Sequence, residues 1–217
     1  MNYTEALSFI FQDQQWVKKM AIGGLFAFIS FYCGLFFITG FFVVGYYVGV
    51  VRNVVHREES VLPNWSDMSK IFVDGLVGAI IIFFYFVIIG AICTLLIVSV
   101  AHDYMPDYEK ALLIILISLS TLLALTFLIN YGLMQFAATD NFGAAFSLPG
   151  ILSLIKSHFG DFLAIIIFTL ILNGILFLAG LGILSPFTNF WGMVVQAHLF
   201  GQCAKAIHPD TPAVQSA

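Results

Sequence analysis

Between residues 75 and 100 no side chain carries a charge, and the same is true of 20–51, 111–136, 162–184 and 187–203. Uncharged apolar stretches of this length leave few folds open. A helix crosses about 30 Å of hydrocarbon with about 20 apolar residues. Lipid offers the backbone no hydrogen bonds, so such segments span it as helices that satisfy their own backbone groups. Only 9% of the residues are charged and 61% are hydrophobic. A soluble domain carries about 25% charged residues, enough to cover a surface, which this chain lacks. The pattern predicts an all-α integral membrane bundle. The small net charge of −4 argues against a nucleic-acid partner and leaves the lipid bilayer as the first one.

The run 20–51 is too long for one ordinary crossing and holds Gly34 and Gly40 near its middle. It reads either as a hairpin of two short helices, about 20–35 and 38–55, or as one long tilted helix. Ser185 and Pro186 should break the chain between 184 and 187, because proline has no N–H to donate. No cleavable leader is expected: Glu5 and Asp13 precede the first basic residues, the reverse of a signal peptide. The tail 209–217, with two prolines and small residues, is expected to be disordered.

Charge selects between the readings. Lys and Arg are enriched in cytoplasmic loops. Three hairpins in one orientation put Lys18, Lys19, Arg52, Arg57, Lys70, Lys156 and Lys205 on one side, and only Lys110 on the other. Seven of the eight basic residues then share a face, which favours six transmembrane helices with both termini in the cytoplasm of a cell. A five-helix arrangement strands Lys18 and Lys19 on the wrong side.

The basic-side connections repeat. Leu62-Pro63-Asn64-Trp65 leads through Met68, Ile71 and Phe72 to Asp74-Gly75, and Leu148-Pro149-Gly150 leads through Ile151, Leu152, Ile155 and Phe159 to Gly160-Asp161. A looser copy runs through Ala6, Leu7, Ile10, Phe11, Asp13 and Trp16. Apolar residues three and four apart form one greasy face, so an amphipathic helix in the headgroup plane should precede each hairpin. The chain then forms one membrane domain, 1–208, of three units, about 1–57, 61–140 and 147–206. Such repeats occur in transporters, and equally where a stable hairpin has been duplicated.

The polar residues of the apolar runs are the candidate functional positions. Asp74 and Asp161 are expected at helix N-termini, where a carboxylate accepts backbone N–H bonds; the alternative is a proton or cation site. Asn130, Gln135, Asn173, Asn189, Gln196 and His198 can bond between helices. No Lys, Arg, Asp or Glu lies near the centre of a run, which disfavours a charge-coupled pump. Gly45 and Gly49 form a G-x-x-x-G that allows close helix packing. Cys33, Cys93 and Cys203 make no C-x-x-C pair and read as small apolar residues. His102 beside Asp103 and Asp107 reads as a solvated acidic loop rather than a metal site. No P-loop, G-x-S-x-G, H-E-x-x-H or dinucleotide-binding pattern occurs. No catalytic, cofactor-binding or metal-binding residue is assigned, and the chain is read as not an enzyme.

Several of these residues recur in a known order. Asp13…Trp16-Val17-Lys18-Lys19…Ile22-Gly23-Gly24, Gly45-Tyr46…Arg52-Asn53-Val54, and Leu62-Pro63-Asn64-Trp65…Phe72-Val73-Asp74-Gly75 resemble the prokaryotic membrane proteins grouped as domain of unknown function 4013. So do Ala137-Ala138…Phe142-Gly143-Ala144-Ala145-Phe146, Gly160-Asp161-Phe162 and Gln196-Ala197-His198-Leu199-Phe200-Gly201-Gln202. The likeness covers nearly the whole chain; Ala138-Thr139-Asp140 departs from it where a more basic segment is expected. It implies a multi-spanning bacterial or archaeal membrane protein and no particular activity. Three functions stay open: a non-enzymatic component associating with other subunits or with itself, a small transporter or channel, and a lipid-acting enzyme drawing on His56, Asp74, His158 and Asp161.

Overall fold

The computed structural model describes residues 1–208, so the disorder expected of 209–217 lies outside the described residues. The regular elements of the described residues are all helices, without strands. A short helix α1 (Tyr3–Ser8) runs into a 3₁₀ turn at Phe9–Gln12. Then follow α2 (Trp16–Tyr32), α3 (Phe36–His56), α4 (Met68–His102) and α5 (Asp107–Thr139). A second 3₁₀ turn, Phe142–Phe146, leads to α6 (Leu148–Ser157), α7 (Phe159–Ala179) and α8 (Ser185–Ile207).

Residues 20–51 are therefore two helices. The break falls at Cys33–Leu35, where Gly34 has φ +68°, a left-handed conformation that costs a residue with a Cβ. The break before α8 falls earlier than expected. Gly180 to Leu184 form the turn, and Pro186 sits in the first turn of α8, where its missing N–H costs no helical bond.

Four helices are long and apolar enough to cross a membrane: α3 (over Ile38–His56), α4, α5 and α7. They mark the chain as a multi-pass membrane protein. Helix α2 has only 17 residues, and α8, with 23, is too polar to meet the same measure. Yet α8 is central: it packs on α1, α2, α3, α5 and α7, while α3 packs on α2, α4, α5 and α8. A helix walled by protein needs no apolar surface all round, which accounts for its Asn, Gln and His.

Among the described residues, a separate short helix stands ahead of α2 and of α7 only. α6 is capped by Ser147, whose side chain accepts from the Gly150 N–H, and it exposes Leu148, Leu152 and Ile155. Among the described residues, no separate helix precedes α4. Asp67 caps α4 by accepting from the Lys70 N–H, and from Met68 the helix runs unbroken to His102. Asp74 accordingly lies within α4, not at its start. Nothing between Met68 and Asp74 breaks a helix, so the greasy face read there is the first two turns of α4.

Gly45 and Gly49 serve different neighbours. A Cβ on Gly45 would lie 1.8 Å from the Ile71 carbonyl oxygen, and one on Gly75 would lie 1.7 Å from that of Phe41. These two glycines let the backbones of α3 and α4 touch. Gly49 instead faces the Pro63 ring, at 2.8 Å.

Candidate functional site: a buried arginine between two aspartates

The centre of charge in the bundle is Arg52, near the end of α3. Counting along the helix, Val48 lies four residues before it and Val55 three after, and both are buried. Arg52 thus points into the core with them, its side chain only 9% exposed. Its guanidinium takes both oxygens of Asp74: Nη1 donates to Oδ2 in a short hydrogen bond, and Nη2 donates to Oδ1 at 3.1 Å. Nη2 also donates to Asp140 Oδ1 at 2.5 Å. Asp140 ends α5 in a left-handed conformation, φ 50°, and its side chain is 61% exposed. The Phe136 ring lies 6.0 Å from the guanidinium carbon.

The cluster pins α3, α4 and the end of α5 together. Forked Arg–carboxylate pairs combine charge with fixed geometry. Removing one member of a buried pair typically costs about 3–5 kcal/mol, because the other is left uncompensated. Two carboxylates face one guanidinium, and the mostly solvated Asp140 is the one that water can also serve. Among the described residues, Arg52 Nε has no partner. A cavity of about 210 Å³ adjoins the cluster, lined by Arg52, Asn53, Pro63, Asn64, Asp67 and Asp74, among others.

A second buried charge sits at the start of α2. Lys19 is 6% exposed, and its three ammonium protons have three acceptors: Asp13 Oδ2 at 2.7 Å, Leu62 O at 2.8 Å and Ser60 Oγ at 3.4 Å. Burial alone would raise the Asp13 carboxyl. Hydrogen bonds from Lys19, the Gln15 N–H and Ser60, with the lysine's charge, outweigh it and hold the group below its ordinary value. Trp65 closes this corner: its Nε1 donates to Lys19 O at 2.9 Å, and its ring stacks on Tyr46 at 4.8 Å.

The polar residues singled out from the sequence divide between several arrangements. Asn130 and Gln196 meet: Asn130 Oδ1 accepts from Gln196 Nε2 at 2.9 Å and from the Tyr47 hydroxyl at 3.2 Å, joining α3, α5 and α8. Gln135 Oε1 lies 3.0 Å from His208 Nε2. His198, 3% exposed, stacks on Phe9 at 4.2 Å and bonds Gln202 at 3.2 Å. Gln202 in turn exchanges hydrogen bonds with the Asn2 backbone, so this group fastens the N-terminal segment to α8. Asn173 and Asn189 donate to their own helices, to Thr169 O and Ser185 O, both at 2.8 Å. Asp161 stands in the first turn of α7, 55% exposed and 3.7 Å from His158 Nδ1.

Arg52, Asp140 and Lys19 were not among the residues singled out, since each reads as a loop charge beside an apolar run. The available signal was helical spacing: Arg52 falls on the Val48–Val55 stripe, and Asp74 lies between Ile71 and Gly78, both buried. A charge on an apolar stripe must find a partner inside.

Long apolar helices around an inner layer of paired charges and amides define a polytopic helical membrane protein. The chain belongs to the family described as protein of unknown function (DUF4013), whose model matches residues 20–185. Arg52, Asp74 and Asp140 fall within the match, whereas Lys19 and α8 beyond Ser185 fall outside it. No curated protein and no solved structure matches the chain.

Proposed function

We propose that the chain crosses a prokaryotic cell membrane six times, as the hairpins α2–α3, α4–α5 and α7–α8, with both termini cytoplasmic. In this reading it is a non-enzymatic component that associates with lipid and with other membrane subunits or itself. The observation that carries it is how the interior polarity is used. Arg52 with Asp74, Lys19 with Asp13, and Asn130 with Gln196 and Tyr47 each tie separate segments together. They hold helices in register rather than line a route between them. The tight turns at 33–35, 103–106 and 180–184 and the one-sided placement of lysine and arginine support the hairpin topology. Purification in mild detergent tests the role: co-purifying subunits, self-association or retained lipid are expected, and a bare monomer contradicts it.

One observation favours a second reading, a small transporter or channel. A buried charge is present after all, in Arg52, with an unpartnered Nε and a cavity beside it; ionisable groups in such positions mark transport routes. Flux of ions and small solutes into proteoliposomes decides it. Transport lost in Arg52→Gln and Asp74→Asn supports this reading, and no flux from the wild-type chain removes it.

A further inference from the structure

Lys18 and Lys19 are neighbours with opposite situations. Lys19 is buried with every ammonium proton used. Lys18 is exposed and, among the described residues, makes no ion pair or hydrogen bond. It lines a cleft of about 270 Å³ between the start of α2 and the segment entering α4. Gln15, Asn64 and Ser66 give this cleft polar groups, and Ile22, Trp65 and Met68 give it apolar ones. Among the described residues, no carboxylate lines it. A neighbouring cleft shares Gln15, Lys19 and Asn64 but carries Asp13 and Glu59, so the two differ in the sign of charge they welcome.

From Trp65, in the wall of the cleft, a chain of aromatic contacts leads away. Trp65 packs against Phe26 at 5.3 Å, Phe26 against Phe42 at 4.6 Å, and Phe42 against Phe72 at 5.3 Å. These three phenylalanines are partly exposed, flanked by exposed Leu25 and Val73. A free cation with amide and hydroxyl groups thus shares a cleft with Trp65, from which partly exposed phenylalanines run on. That sequence of surfaces matches an anionic head joined to hydrocarbon. The volume falls below the roughly 300–1,000 Å³ of pockets for drug-sized ligands, which suits a phosphate with few atoms around it.

We infer that this cleft holds the phosphate of an anionic phospholipid, with Lys18 as its counter-ion, Gln15 and Ser66 as hydrogen-bonding groups, and an acyl chain along Phe26, Phe42 and Phe72. The inference rests on the six-crossing reading, which sets this cleft at the cytoplasmic headgroup level. A lysine near an anionic surface contributes enough for about a fivefold change in affinity.

Native mass spectrometry of the full chain, released from detergent with phosphatidylglycerol, phosphatidylcholine or inorganic phosphate added, tests it. Wild type should retain one phosphatidylglycerol in preference to phosphatidylcholine. Lys18→Gln should weaken that retention about fivefold, and Ser66→Ala should weaken it less. Lys156→Gln, on α6 and away from the cleft, should leave it unchanged. Equal retention of the two lipids, no effect of Lys18→Gln, or an equal loss in Lys156→Gln would each overturn the site. Displacement of the lipid by inorganic phosphate alone would overturn the lipid as its source. Melting temperatures of the variants guard against misfolding, and Lys18, being exposed, should not change them. Topology labelling on the same variants separates the two claims: lipid preference lost with the topology intact removes only the cleft.

Discussion

Helices α4 and α5 each have two halves that the fold treats in opposite ways, and the more apolar half is the one left exposed. Residues 130–138 of α5 are all buried, and α4 buries Ile71, Asp74, Gly75, Gly78, Ile81 and Tyr85. Towards the turn at 103–106 the same helices expose Phe86, Leu95, Leu112, Ile115, Leu119 and Leu122. The buried halves carry Gly, Ala, Tyr, Asn and Gln. The outer halves are Leu and Ile, with hydroxyls such as Thr94, Ser118 and Ser120 turned back to their own backbones. In lipid, apolarity does not draw helices together, because the tails are as apolar as leucine. Small residues, which let backbones approach, and polar groups, which need partners, decide what packs. Helix α4 is 35 residues long, about 52 Å at 1.5 Å per residue, longer than the roughly 30 Å of hydrocarbon. On the six-crossing reading its packed half reaches the cytoplasmic face and its outer half meets lipid.

Variants can break this contrast, beginning with the largest effect. Arg52→Leu should cost about 3–5 kcal/mol, read as lost thermal stability in detergent. Arg52→Leu combined with Asp74→Leu should recover much of that loss, because the stranded carboxylate is gone. A double variant as damaged as the sum of the two singles would remove the buried pair from the account. Gly45→Ala comes next. Its methyl meets backbone rather than a flexible side chain, and overpacking of that kind costs about 1–3 kcal/mol. Gly90→Ala, in the outer half of α4 with open space around it, should be neutral or slightly stabilising.

Acid should act through Asp13. Its folded value is depressed, so its contribution is complete above the unfolded carboxyl value of about 4 and fades as pH falls through the lower folded one. Asp13→Asn should remove that part of the acid sensitivity of the melting temperature; an unchanged acid limb contradicts the Lys19 corner. The smallest effect belongs to the exposed leucines. Leu122→Ala should change stability by less than about 0.5 kcal/mol, and a large loss would mean that protein covers this surface.

What the sequence told and withheld follows the same division. Helical class and a break near Gly34 came from run length and glycine, and amides in apolar surroundings marked Asn130 and Gln196 as groups able to bond between helices without saying that they meet. The buried role of Arg52 did not, because a charge four residues from the end of its helix reads the same whether it faces water or the core. Asp74 looked like a helix cap because the start of α4 at Met68 is hidden in a segment of mixed polarity. The closure of Arg52 by Asp140 joins positions distant in sequence, and no local spacing reports it.

Cysteine labelling with a membrane-impermeant maleimide tests the topology directly. Cys33, exposed at the turn between α2 and α3, is a native probe, and Asp103→Cys and Ser157→Cys in a Cys33→Ser background add one at each end. In intact cells Cys33 and the position-103 cysteine should react, and the position-157 cysteine should react only after the membrane is opened. Labelling of position 157 from outside, or of positions 33 and 103 from opposite sides, would contradict the three-hairpin arrangement.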